Sequence, residues 1–184
     1  METGKVVGFL GPNGAGKSTT MNMITGYIAP TSGTVLIDGV DMEEEPEKVR
    51  KNIGYLPENP PLYPDMRVRE YLYFVAELKK VARNKRDVMV NEIMNRTKIV
   101  DVSERLIRHL SKGYKQRVGV AGAKMGDPGS LIPDEATGGL YPNQNLQKRG
   151  LEPDFSGSHT TLFRSHYMPE NRAVCDEVNT LNKG

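Results

Sequence analysis

The segment KVVGFLGPNGAGKSTTMNMITG, Lys5 to Gly26, constrains the fold more than any other part of the chain. A short apolar strand, Val6 to Leu10, runs into Gly11-Pro12-Asn13-Gly14-Ala15-Gly16-Lys17-Ser18, the pattern G-x-x-x-x-G-K-[ST] in its setting of strand, loop and helix. Glycines let backbone N–H groups turn inward on phosphate oxygens, and a helix opening near Lys17 adds its positive end to the same spot. Lys17 then neutralises the β and γ phosphates, and the Ser18 hydroxyl faces magnesium. The plainer alternative is a Gly-rich turn with an accidental Lys-Ser. At average usage its four fixed positions arise by chance in well under about 1% of chains this long, so the segment predicts a nucleotide phosphate site.

A chain of 184 residues holds one domain with an apolar core and is too short for two ordinary ones. With 37% hydrophobic and 26% charged residues, the composition is ordinary for a globular protein and full disorder is not expected. The net charge of +2 comes from dispersed basic residues, which is not the footprint of a nucleic-acid binder, so no nucleic-acid partner is expected. The single cysteine, Cys175, excludes an intramolecular disulfide and a cysteine-rich metal site, and reducing cytoplasm is the natural compartment. The opening METGKVVGFL reads as neither signal peptide nor membrane anchor, and no apolar stretch approaches the roughly 20 residues of a membrane helix. A role at a membrane is therefore expected to come through a partner.

A phosphate loop is shared by kinases, GTPases, helicases and transporter ATPases, so the remaining motifs must decide between them. A GTPase needs N-K-x-D to read guanine, and the late Asn182-Lys183 is followed only by Gly184. GTVLIDG, Gly33 to Gly39, predicts a β segment; DMEEEPEKVRKN predicts a partial helix whose Glu43 to Glu45 start is solvated. Ile53 to Leu56 reads as a strand entering a stiff, exposed, proline-rich loop that carries Glu58. In VREYLYFVAELKK, Val68, Leu72, Val75 and Leu78 or Lys79 recur at helical spacing, and RDVMVNEIMNRTKIVDVSERLIRHL continues the helical composition. This predicts an all-helical insertion, approximately residues 66–118, between two α/β parts. Its Tyr71, Tyr73 and Phe74 read as core or partner contacts rather than a ligand stack.

The insertion ends in HLSKGYKQRVGVAG. Ser111, Lys112, Gly113 and Tyr114 form a Ser-Gly turn before a helix, which is either a second anion nest or an ordinary N-cap. In SLIPDEATGGLYP the Asp134-Glu135 pair follows a short apolar run, where two carboxylates can hold magnesium and activate a water. RSHYMPE then carries His166, which alone would read as a surface histidine.

Leu110-Ser111-Lys112-Gly113-Tyr114-Lys115-Gln116-Arg117 resembles the signature motif of the ABC transporter ATPases. The whole series, from phosphate loop through acidic loop, helical insertion, Ser-Gly turn and Asp-Glu pair to His166, resembles an ABC ATPase domain over nearly all of the chain. IGYLPENPPLYPDM with VREYL, SKGYKQR and AVCDEVNTLNKG resemble the type-two exporter group that includes gliding-motility and drug-export ATPases. The resemblance implies a single domain, 1–184, of α/β class: a P-loop NTPase core with a mainly parallel sheet flanked by helices, and the helical subdomain inserted before the signature. It implies ATP and magnesium as ligands, with Gly11 to Thr19 as the Walker A loop. Asp134 would be a magnesium ligand beside Ser18, Glu135 the general base, and His166 the switch histidine on the γ-phosphate. Glu58 stands where the family usually has the Q-loop glutamine and would supply an oxygen to the metal. Membrane permease subunits and a second ATPase subunit, head to tail, are the implied partners, with Ser111 to Tyr114 of one subunit facing Lys17 of the other.

Departures cluster after about residue 120. Pro133 removes an N–H where a central strand is expected, Ala136 and Gly138 replace a proline and a polar residue, and Tyr141 replaces the D-loop aspartate that contacts the opposite subunit. Gly122 and Lys124 stand where a packed helix prefers aliphatic residues, Gly150, Pro153 and Ser156-Gly157-Ser158 interrupt a helical stretch, and Arg164 sits late in a strand. Only five residues precede Val6, where the family has a β segment bearing an adenine-stacking aromatic, and the chain stops at Gly184, where family members continue. Two functions therefore compete: an energy-coupling ATPase subunit of an exporter, and a degenerate or fragmentary module that binds ATP with little turnover. A third, an ABC-type ATPase acting on ribosomes or DNA, lacks the paired cassettes or long coiled insertion it usually shows.

Overall fold

The computed structural model describes residues 4–12, 14–57, 59–133, 159–165 and 175–182. Along these run β1 (Val6–Leu10), α1 (Lys17–Ile24), β2 (Leu36–Ile37), β3 (Val40–Asp41), α2 (Pro46–Lys51), β4 (Ile53–Leu56), α3 (Val68–Leu78), α4 (Arg83–Arg96), α5 (Lys112–Lys124), β5 (Ser130–Pro133), β6 (Thr160–Ser165) and β7 (Glu177–Thr180). Two 3-10 turns, Val100–Val102 and Ile107–His109, link α4 to α5. β1, β4, β5, β6 and β7 form one sheet in the order β4-β5-β6-β1-β7, parallel at every pairing, while β2 and β3 make a small antiparallel hairpin. This is the α/β architecture that the strand and helix patterns predicted.

Strands with both faces covered need apolar residues on both, and alternation along β5 supplies them. Ile132 packs with Val7, Met21, Val49, Ile53 and Leu162 beneath α1 and α2, whereas its neighbour Leu131 packs with Leu56 and Val120 beneath α5. The helices between β4 and β5 own a separate core around Leu72, Met94, Ile99 and Ile107, all at most 1% exposed. Each such side chain contributes about 1.5–3 kcal/mol on burial. α5 serves both regions, because Val118, Ala121 and Met125 face the helical core while Val120 and Ala123 face the sheet.

Helix α3 begins where the side chain of Glu70 accepts from the backbone N–H of Arg67 at 2.8 Å, half of a capping box. Val68 and Leu72 are fully buried as their spacing predicts, but Leu78 is 63% exposed. Tyr71 is buried, Tyr73 donates to Asp87 at 2.5 Å, and Phe74 meets Tyr63 edge-on at 5.3 Å, so none forms a ligand stack.

One expected weakness of the fold is absent, and another is tolerated among the described residues. Gly122 receives Tyr71: a Cβ there would lie 3.1 Å from the phenolic oxygen, so the glycine lets α3 approach α5 rather than loosening the helix. Pro133 is the last described residue of β5, buried and paired with Leu56 of β4 in the parallel ladder. Its missing N–H forfeits one ladder bond, and the described part of β5 still pairs with β4 on one side and β6 on the other. Lys124 is also buried, at 9% exposure. Ala136, Gly138, Tyr141 and the interruptions at Gly150, Pro153 and Ser156 to Ser158 lie outside the described residues. Cys175 is half-buried, and burial pushes its thiol up to about 11, which leaves it protonated near neutrality. No helix among the described residues is long and apolar enough to cross a membrane.

Candidate functional site

In an open parallel sheet, ligands bind beyond the carboxyl ends of the strands. Here β1 leads into Gly11, β4 into the loop that carries Glu58, β5 into Asp134 and β6 into His166. Leu10 pairs with Ser165 and Leu56 with Pro133, so within each of these two pairs the described strands run to matching carboxyl ends. Asn13, Glu58, Asp134, Glu135 and His166 themselves lie outside the described residues.

The phosphate loop is built from backbone geometry. Gly16 caps α1 at φ 91°, a left-handed conformation that L side chains rarely adopt, and the first turn of α1 holds no acidic side chain. Its orphan N–H groups and dipole thus remain available to an anion. Lys17 is only 3% exposed, and its ammonium donates to the carbonyls of Gly11 at 2.5 Å and Pro12 at 2.8 Å. These are displaceable partners, so the charge sits ready beside the loop. Ser18 and Thr19 follow on the first turn and are exposed, Ala15 is buried, and Gly14 is open to solvent with φ 80°. Among the described residues no three His, Cys, Asp or Glu side chains cluster to hold a metal, and Ser18 is the described member of the expected magnesium set.

Leu181 escaped the sequence reading. Its N–H donates to Leu10 at 2.7 Å, and a Cβ on Gly11 would lie 2.6 Å from its carbonyl oxygen. The end of β7 therefore buttresses the phosphate loop, a contact between the two ends of the chain that no local spacing signals.

At the second anion candidate, Ser111 caps α5, its Oγ accepting from the Tyr114 N–H at 3.4 Å. Ser111, Lys112 and Gly113 are exposed, and a Cβ on Gly113 would meet nothing within 4 Å. Tyr114 is tied down: its hydroxyl donates to Asp101 at 2.6 Å, and the Arg117 guanidinium lies 5.3 Å from its ring centre. The hydrogen bond to Asp101 holds the phenol above its ordinary pKa. Asp101 was also missed, because it comes from a 3-10 turn in another part of the sequence. The hydrogen bonds of Lys17 and of Ser111 do not join the two loops, which rest on different elements.

A cavity of about 640 Å³ opens between the sheet and the helical region, walled by Pro57, Pro60 and Pro61 on one side and Tyr71, Val75 and Leu78 of α3 on another. Tyr27, 71% exposed, stands edge-on to Tyr55 at 6.0 Å along its rim. The proline loop that leads to and from Glu58 is thus one wall of an apolar groove.

The family model described as ABC transporter matches residues 1–138. The chain belongs to the ABC transporter family. "ABC transporter ATP-binding protein NatA" of Bacillus subtilis (strain 168) is 33% identical over 186 residues, covering 100% of this chain and 76% of that protein. "ABC transporter A family member 1" of Dictyostelium discoideum is 32% identical over 184 residues, 100% of this chain but 21% of that protein, so the chain spans about a fifth of that relative's length. The solved structure of cbiO1 from Clostridium perfringens, described as part of the ABC transporter complex cbiONQ, superposes with a TM-score of 0.84 at 29% identity, covering 100% of this chain and 76% of that one. The family resemblance read from the phosphate loop and from Leu110 to Arg117 therefore holds, and with it the P-loop ABC fold.

Proposed function

We propose that this ABC-family chain binds ATP and magnesium at the carboxyl edge of its parallel sheet, hydrolyses the ATP across a head-to-tail pair of subunits, and drives a membrane permease, in the direction of export. The observation that carries the reading is Lys17, buried and, among the described residues, held by the carbonyls of Gly11 and Pro12 at an α1 N-terminus whose first turn has no acidic side chain. Phosphoryl transfer needs positioning and charge neutralisation rather than covalent chemistry, and this loop offers both. Ser18 and Asp134 would hold magnesium, with Glu58 as a further oxygen ligand; Glu135 would polarise the attacking water and His166 would orient it. Ser111 to Gly113, exposed on a different element, and the half-buried Tyr114 would complete the site of the opposite subunit. The single domain 1–184, with its helical subdomain at approximately 66–118, would sit on the cytoplasmic face of the membrane through the permease, whose cytoplasmic segment would dock in the proline-walled groove.

Magnesium-dependent ATP hydrolysis tests the reading. Glu135→Gln is expected to lower turnover by about a hundredfold or more with ATP affinity kept, because a general base contributes at about that scale. Turnover of the native chain no higher than this variant, with permease present, would instead select the degenerate ATP-binding module.

The Tyr114 anchor makes a separate expectation. Tyr114→Phe frees the turn from Asp101, so hydrolysis should fall several-fold, by roughly three to ten times, while nucleotide affinity of the isolated chain stays within about twofold. Equal losses in both, measured by steady-state turnover and equilibrium binding, would mean that the pair only supports the fold.

A further inference from the structure

We infer that Leu181 is a positioning residue of the phosphate site: it braces the two glycines at the ends of the loop, Gly11 and Gly16, and so sets the affinity for the phosphates of the nucleotide. This rests on the reading of Gly11 to Thr19 as that site. Leu181 follows directly on β7 and is half-buried. It reaches the loop in two ways. Its main chain stands behind the first glycine: a Cβ on Gly11 would lie 2.6 Å from the Leu181 carbonyl oxygen and 3.4 Å from the carbonyl carbon. Its side chain stands behind the second: a Cβ on Gly16 would meet Leu181 Cδ2 at 3.4 Å and, among the described residues, nothing else within 4 Å.

Each braced glycine governs one half of the anion site. Gly16 is the N-cap of α1, so its place aims the orphan N–H groups of the first turn. The Gly11 carbonyl accepts from the Lys17 ammonium at 2.5 Å, so its place sets where that charge waits. Leu181 in turn is fixed to the sheet. Its N–H donates to the Leu10 carbonyl at 2.7 Å; at the start of β7 the Asp176 carboxylate accepts from the Val6 N–H at 2.9 Å, and Glu177 pairs with Lys5 at 2.7 Å. β7 is thereby clamped to β1 at both of its ends. A loop whose ends are already held needs little reordering when phosphate arrives, and donors in place bind more tightly than donors that must be gathered.

Equilibrium binding of magnesium-ATP and of inorganic tripolyphosphate to the full chain, at a temperature well below the melting midpoint of every variant, tests this. Leu181→Val keeps a strand-forming residue but loses the δ-methyls that reach Gly16, and Leu181→Ala loses more. Leu181 is half-buried on the edge strand's end, so neither trim empties a core position. Both are expected to raise Kd about five- to tenfold, by the same factor for ATP and for tripolyphosphate, because the brace acts on the phosphate loop and not on the base. Leu181→Met puts an atom back at the δ position and should return both affinities to within about twofold of the native chain. Val178→Ala trims the same strand opposite Gly8 rather than the loop, and should leave both Kd values unchanged even where it lowers Tm. Unchanged Kd values for Leu181→Val and Leu181→Ala, with or without a lower Tm, would mean that Leu181 only supports the fold; they overturn the inference and leave the phosphate site standing. A loss for ATP alone, with tripolyphosphate unaffected, overturns it as well. A native chain that binds neither ligand overturns the phosphate-site reading and the inference with it.

Discussion

Lys17→Ala is expected to raise the Kd for ATP by about a hundredfold or more, the loss of roughly 2.7 kcal/mol of charge-assisted contact to the phosphates. The ammonium is the one described cation buried in the phosphate loop, and backbone N–H groups alone cannot neutralise the β and γ oxygens. In the free protein the same group bridges the Gly11 and Pro12 carbonyls, so alanine also leaves two acceptors without their cation. That costs about 1 kcal/mol, or about 2–4 °C in Tm for a chain of this size. Lys17→Arg separates the effects: it keeps the charge, but a 3% exposed slot fitted to an ammonium does not admit a planar guanidinium, so affinity should recover only in part. Equilibrium titration with a fluorescent ATP analogue and a thermal melt read both numbers. Unchanged affinity for Lys17→Ala would remove the phosphate-site assignment altogether.

Gly54→Ala should be the most damaging small substitution in the scaffold. Gly54 lies in the middle of β4, and a Cβ there would come to 2.3 Å from the Ala123 carbonyl oxygen, 2.5 Å from Leu131 Cδ2 and 3.0 Å from Pro128 Cγ. Leu131 has other rotamers, but the Ala123 carbonyl is helix backbone and moves only if α5 moves. Since α5 packs against both the sheet and the helical core, its displacement disturbs both regions. The expected loss is about 3 kcal/mol, seen as a fall of roughly 6–12 °C in Tm. A fall of less than 2 °C, about 0.5 kcal/mol, would mean that α5 does not pack on β4 as closely as described.

Elements that announced themselves in the sequence did so through neighbours a few residues apart. VVGFL became β1, Val68 and Leu72 became the buried stripe of α3, and Ser111 capped α5. In the phosphate loop every working part is local, from Gly11 to Ser18. The misread positions all depend on something distant. Gly122 looks like a flaw in the helix, but Tyr71 packs over it; Pro133 looks like a break in the central strand, but it still pairs with Leu56 of β4; and Leu78 fits a core stripe yet faces the groove.

The sequence by itself determined the chemistry of the phosphate loop, the alternation of strand and helix, and membership of the ABC transporter family, because steric limits at glycine, helical periodicity and motif spacing act within a few residues. Tertiary structure alone decided that β1 lies between β6 and β7, that Leu181 buttresses Gly11, and that Asp101 anchors Tyr114. Most of those pairings join residues far apart along the chain. They are selected by which faces can be buried together, a property of the packed whole that no short window of residues contains.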